Sequence, residues 1–433
     1  MITVFEQELE KGTGVPYILL QNKCIQPSEI VEDIFYQNII ENKAFGPSFE
    51  GSRSDYVYDL LELYPERKKV DSRVIAYFNK MDSDDRGDEQ VFNFAVRLAQ
   101  DGRFEKNALY KKFEYYAKKK LPFYIIGIDE LIKLDKYEAV VYLARYFGSH
   151  IEDKDIEEFA GYYFYNLCVQ DYTGYDTETI TAMLQEEHDP AIDRYLSIAQ
   201  TKREHSPRKV QTYTADEVIL TLQKPDFNER SELYRIIRWV DKQASDEDIK
   251  KLSACFIKAD ETFKKRLIRL FTINRCIQVP IQALFDSFDS IQDGKYRTNL
   301  VEALVLMRNP DVYDFLLERY DENTATGFLK ICVQFYSEDR EWKLLGLLDT
   351  CDMYDIEDIV VSVLESEELA KHDIFKYILR LLYHKTKCSI CRGRVLEKMM
   401  EHGVADANIY REIQYDANKN IRELAEKSKA KKE

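Results

Sequence analysis

HDPAIDRYLSIA, residues 188–199, and RNPDVYDFLLER, residues 308–319, share one short design. An Asp or Asn (Asp189, Asn309) is followed by proline and then, three residues on, by a β-branched apolar residue (Ile192, Val312). The polar side chain suits an N-cap and the proline suits the first helical turn, where its missing N–H costs nothing. A third segment, DANKNIRELAEK at 416–427, repeats the spacing with Asn418 and Ile421 but without the proline. In each case the branched residue is placed to enter the layer between neighbouring helices. Arg194 and Arg422 follow soon after, where a guanidinium reaches toward an inter-helix turn.

Outward from these segments the helical period continues. In PSEIVEDIFYQNIIENK, Ser28 is a cap and Ile30, Val31, Ile34, Phe35 and Ile39 form one face. KYEAVVYLARYFG gives Tyr137, Val140, Val141, Ala144 and Phe147, with Gly148 read as the helix stop. DIFKYILRLLYH repeats the spacing with Ile374, Ile378, Leu381 and Leu382. About two dozen such helices, joined by short polar turns, predict roughly a dozen helical hairpins. MITVF at the start and the LPFYII run near Pro122 come nearest to strands.

The Asp/Asn turn, the Val or Ile after it and the following Arg resemble HEAT-type repeats. The segment running from CSICR to QYDANKNIREL is also similar to bacterial HEAT-like proteins. This resemblance covers three segments and shows no strict period elsewhere. It implies an all-α fold, an α-solenoid or superhelix of antiparallel helical hairpins, and a surface for partners rather than a reaction. The expected division is an N-terminal array at 1–203, a linker at 204–214, a C-terminal array at 215–425 and a basic tail at 426–433.

Composition narrows the class. The chain has 433 residues, 45% hydrophobic and 32% charged, with only 15 glycines and 10 prolines. That is too apolar for a disordered chain and too poor in turn residues for a sheet protein. A net charge of −16 repels phosphate backbones at long range, which favours a protein partner over nucleic acid. No signal sequence or membrane span is read, and eight scattered cysteines suit a reducing compartment. The expectation is a non-enzymatic interaction protein of a bacterial cytoplasm, needing no cofactor, that binds a partner on a concave face.

Few residues suggest chemistry. Cys388 and Cys391, flanked by His384 and His402, have the Cys-x-x-Cys spacing of half a zinc site, yet no second tight pair accompanies them. A redox pair and simple packing at a helix start are the other readings, and packing is favoured. A zinc-stabilised helical module therefore stands as one alternative function. Ser52 and Arg53 precede a helix, where free amides and a guanidinium attract an anion; the plainer reading pairs Arg53 with Asp55 or Asp59. Basic clusters at Lys111, Lys112, Lys118, Lys119 and Lys120, and at Lys264, Lys265 and Arg266, offer a nucleic-acid surface. They also read as solvated helix faces. A nucleic-acid-binding protein, or a DNA-acting enzyme on a HEAT-like fold, is the other alternative. No residue is singled out as catalytic.

Overall fold

A computed structural model describes residues 1–82, 86–119, 125–150, 164, 166–199, 212–229 and 231–430. Among these residues there are 27 α-helices and no strand. The LPFYII run falls mostly, and the 204–214 segment largely, outside the described residues. The opening MITVF is helical: Ile2–Lys11 buries Phe5 and Leu9 and ends at Gly12, whose φ of 73° closes the helix in the left-handed region. Period decides here, because Phe5 and Leu9 stand one helical turn apart.

The shared turn forms as its chemistry dictates. Asp189 accepts the Ala191 N–H at 2.9 Å, Asn309 that of Asp311 at 2.9 Å, and Asn418 that of Asn420 at 2.9 Å. Ile192, Val312 and Ile421 are all buried. The residues before the first two caps, His188 and Arg308, each hold a φ of 50°, so the proline-containing copies also share a left-handed residue. Arg194 donates to the Gly148 carbonyl, and Arg422 to the Asp416 and Ala417 carbonyls.

Other helices form where expected, with adjusted faces. Ser28 accepts the Val31 N–H at 3.3 Å, and Val31, Ile34, Phe35 and Ile39 are buried, but Ile30 is exposed. Helix Ile374–Lys385 buries Phe375, Ile378, Leu379 and Leu382, a stripe turned slightly from the predicted one. Gly148 does not stop its helix, which runs Tyr137–His150. A Cβ there would sit 1.8 Å from the Ala191 carbonyl oxygen, so the glycine admits helix Pro190–Ala199 at close range.

The chain makes two compact units. The first comprises Met1–Glu204, Lys387–Gly393 and Ala405–Glu433; the second comprises His205–Thr386 and Arg394–Val404. In the first, helices Ile2–Lys11, Glu29–Ile40, Ser54–Leu61, Arg86–Gln100 and Ile128–Asp135 pack in succession, and Tyr137–His150 lies against Pro190–Ala199. Its late segment joins its first helices directly. The Ala417 N–H donates to the Gly12 carbonyl at 2.8 Å, and Tyr17 stacks on Tyr415 with ring centres 3.7 Å apart. In the second unit, helices Glu261–Ile268, Gly294–Met307, Ala325–Gln334 and Met353–Leu364 touch in series, each with the next. No described helix is long and apolar enough to cross a membrane.

Candidate functional sites

The Ser52–Arg53 position is a charged centre that the protein fills itself. Arg53 is buried, and its Nη2 donates to Glu50 Oε2 at 3.0 Å. The same carboxylate accepts the Ser389 N–H at 2.9 Å, at the start of helix Ser389–Glu401, while its other oxygen accepts the Gly46 N–H at 2.8 Å. Glu50 is therefore the anion that a guanidinium and a helix start attract. Burial opposes its charge, but the Ser389 and Gly46 hydrogen bonds and the Arg53 charge outweigh that and hold it below the usual carboxylate range. Arg53 pairs with neither Asp55 nor Asp59; Arg97 holds both, at 2.9 and 3.1 Å, and Lys133 also reaches Asp55. Ser52 is exposed and accepts the Ser54 N–H at 3.2 Å.

Beside this pair lies a second that the sequence did not announce. Arg392 is fully buried and donates to Asp416 Oδ2 at 2.9 Å and to the Lys11 carbonyl at 3.2 Å. Asp416 is equally enclosed, and Asn418 donates to Ser389 Oγ at 3.1 Å. The left-handed Gly12 lies against Arg53, where a Cβ would fall 1.6 Å from Nη1. The backbone at Lys11 and Gly12, the Gly46–Arg53 segment, Ser389 with Arg392, and Asp416 with Asn418 thus share one buried polar network within the first unit. Its charges balance, two guanidinium groups against two carboxylates, which such burial requires.

The cysteine stretch sits at the edge of that network. Cys388 immediately precedes helix Ser389–Glu401, and its carbonyl accepts the Arg392 N–H at 2.9 Å. Cys391 follows within the first turn, and the two Sγ atoms lie within 4.8 Å of each other. Both thiols are partly exposed and neither forms a disulfide, whereas Val395, Leu396 and Met399 further along the helix are buried. His384 stacks edge-on against Tyr383, and His402 against Phe375. Neither histidine belongs to a cluster of three or more potential metal ligands among the described residues.

The basic clusters divide among structural tasks. Lys112 donates to the Asn79 and Met81 carbonyls at the end of helix Arg67–Lys80, where free carbonyls attract a cation. Lys119 pairs with Asp82 and lies over the Tyr115 ring. Lys111 and Lys118 are exposed, and Lys120 lies outside the described residues. In the second cluster, Lys264 lies over Phe256, and Lys265 bridges Glu261 and Asp293 at 2.7 and 3.2 Å. Arg266 donates to the Leu222 and Lys224 carbonyls at 2.7 and 2.9 Å.

Arg266 also lines a groove of about 750 Å³ in the second unit, between helices Ala215–Gln223, Asp246–Lys258 and Glu261–Ile268. Ala254, Cys255 and Ala259 supply apolar surface, and Lys251, Lys258 and Arg266 supply charge. Asp260 is the one carboxylate in the lining, and it caps the third helix by accepting the Phe263 N–H at 2.8 Å. Lys251 meets the exposed Asp216 at 2.6 Å, and Lys258 has no ion-pair partner among the described residues. Sequence reasoning singled out Arg266 but missed Lys251 and Lys258, which stand seven residues apart on one helix face.

The acidic pair Asp129–Glu130 forms part of a helix cap. Glu130 is buried, accepting the Gly127 N–H at 3.0 Å and Asn93 Nδ2 at 2.9 Å. Burial, with Asp129 and Glu89 nearby, raises Glu130 to about 8, and burial beside Glu89 raises Asp129 to about 6.

No family model and no curated protein matches this chain. Among solved structures, the crystal structure of an engineered protein is similar at 10% identity over 94% of this chain and 96% of that one, with a TM-score of 0.16.

Proposed function

We propose that the chain is an interaction protein built from HEAT-like stacked hairpins, which holds an acidic, partly apolar segment of a protein partner. The groove lined by Lys251, Lys258 and Arg266 carries this reading. Lys251, Lys258 and Arg266 outnumber the carboxylates Asp260 and Asp216 beside them, so in a chain of net charge −16 the groove keeps a small local excess of positive charge. Rim charges of this kind select partners and speed their encounter, while apolar contact supplies most of the affinity. The serial contacts of helices in the second unit support the repeat reading, because stacked hairpins meet mainly their neighbours.

The test starts from the intact chain and a display library of acidic amphipathic peptides. Selected peptides are measured by fluorescence anisotropy against wild type and the Lys251→Glu/Lys258→Glu variant. The expected result is a loss of about tenfold or more in affinity for the variant, and weaker binding as salt rises. Unchanged binding by the variant would remove the groove from the interface. Tight binding of single-stranded DNA at the groove, with no peptide selected, would replace the protein partner with nucleic acid.

A further inference from the structure

We propose that Cys388 and Cys391 form a reactive dithiol site that closes to an intramolecular disulfide by exchange with a small-molecule disulfide such as oxidised glutathione. Three observations place the pair. The two sulfurs lie within 4.8 Å of each other, and both side chains are partly exposed. Cys388 immediately precedes a 13-residue helix and Cys391 stands in its first turn, three residues on, so the helical backbone sets the two side chains on one face. The backbone between and beyond them is clamped: the Ser389 N–H is held by Glu50 at 2.9 Å, and buried Arg392 by Asp416 at 2.9 Å. Most of the ordering needed to bring the thiols together is therefore already present in the fold, which speeds ring closure over reaction with a second small molecule.

The exchange balances without another reactant. The Cys388 thiolate, its proton passed to water, attacks one sulfur of the small disulfide and expels the other half as a thiolate, which takes up a proton. The Cys391 thiolate then attacks the Cys388 sulfur of the mixed disulfide and expels the second half. Two protein S–H bonds and one small disulfide become one protein S–S bond and two small thiols. The protein loses two electrons and the small disulfide gains them.

The experiment uses the full-length chain in buffers of stepped oxidised-to-reduced glutathione ratio, quenched with acid, alkylated and digested with trypsin. Cleavage after Lys387 and Arg392 releases CSICR with both cysteines in one peptide. The expected product is that peptide lighter by two hydrogens and unalkylated, forming roughly tenfold faster than any glutathione adduct on the buried Cys168 or Cys332. Cys391→Ser should instead accumulate a glutathione adduct on Cys388, since no second thiol resolves it. A doubly alkylated CSICR at every ratio, or a doubly glutathionylated one, would overturn the proposal. Because the wild-type peptide alone decides this, a variant that fails to fold does not obscure the answer.

Discussion

Arg392 shows how a single residue escapes a reading of the sequence. It stands one position after the Cys-x-x-Cys motif and looks like another basic residue on a charged helix. Yet its guanidinium is enclosed and meets Asp416, 24 residues away, and the Lys11 carbonyl, 381 residues away. No local pattern encodes partners at such separations. The Ser52–Arg53 site shows the opposite case: the pull toward an anion was legible from a helix start and an arginine, but the occupant, Glu50, was not. The energetic consequence is asymmetric. Replacing Asp416 with Ala leaves a buried guanidinium without its carboxylate and is expected to cost about 3–5 kcal/mol. Replacing Arg392 with Met and Asp416 with Leu together removes both charges and should recover most of that loss. Denaturant unfolding of wild type, the Asp416→Ala variant and the double variant checks this. A double variant no more stable than Asp416→Ala would mean that the network is held by contacts other than the charge pair.

At the scale of the helix and its neighbours, what was legible is what lies within a few residues. The caps at Ser28, Asp189, Asn309 and Asn418 need only a side-chain oxygen and an amide two or three positions on, and all four form. Buried faces follow from spacing, but their exact rotation depends on the neighbour, which is why Ile30 faces outward and Phe375 inward. Gly148 separates these two kinds of information. Its position at the end of an apolar stripe suggested a stop, whereas helix Tyr137–His150 passes through it because Ala191 approaches there. Two effects of opposite sign meet at this residue. Alanine would improve helix propensity by about 1 kcal/mol, but a Cβ 1.8 Å from a backbone carbonyl oxygen forces the two helices apart. Displaced packing typically costs about 1–3 kcal/mol, and backbone yields less readily than a flexible side chain. Gly148→Ala is therefore expected to lower the melting temperature, in spite of its better propensity. A variant as stable as wild type would show that the helices separate without loss.

On the scale of the whole chain, composition gave the all-helical class and drew attention to residues 204–214, but not the discontinuous make-up of the first unit. That unit takes in Met1–Glu204 and then Lys387–Gly393 and Ala405–Glu433. Segments so distant in sequence pair through a backbone hydrogen bond at Gly12, a stacked Tyr17–Tyr415 pair and the enclosed Arg392, which reaches the Lys11 carbonyl. None of these contacts has a periodic signature, whereas each helix within an array announces itself by its own stripe. Ending the chain after Val404 would remove Asp416, Tyr415, Ile421 and Ala425 from the first unit at one stroke. Arg392 would lose the carboxylate of Asp416, and the surface around Gly12 and Tyr17 would be opened to water. The loss should exceed that of Asp416→Ala alone, because buried apolar surface goes with the charge. Limited proteolysis with fragment identification reads it directly: cleavage within residues 1–60 should become markedly faster in the truncated chain, while helices 246–258 and 294–307 of the second unit keep wild-type protection. Equal protection of residues 1–60 in both chains would mean that the early helices are self-sufficient and that the late segment adds little to their stability.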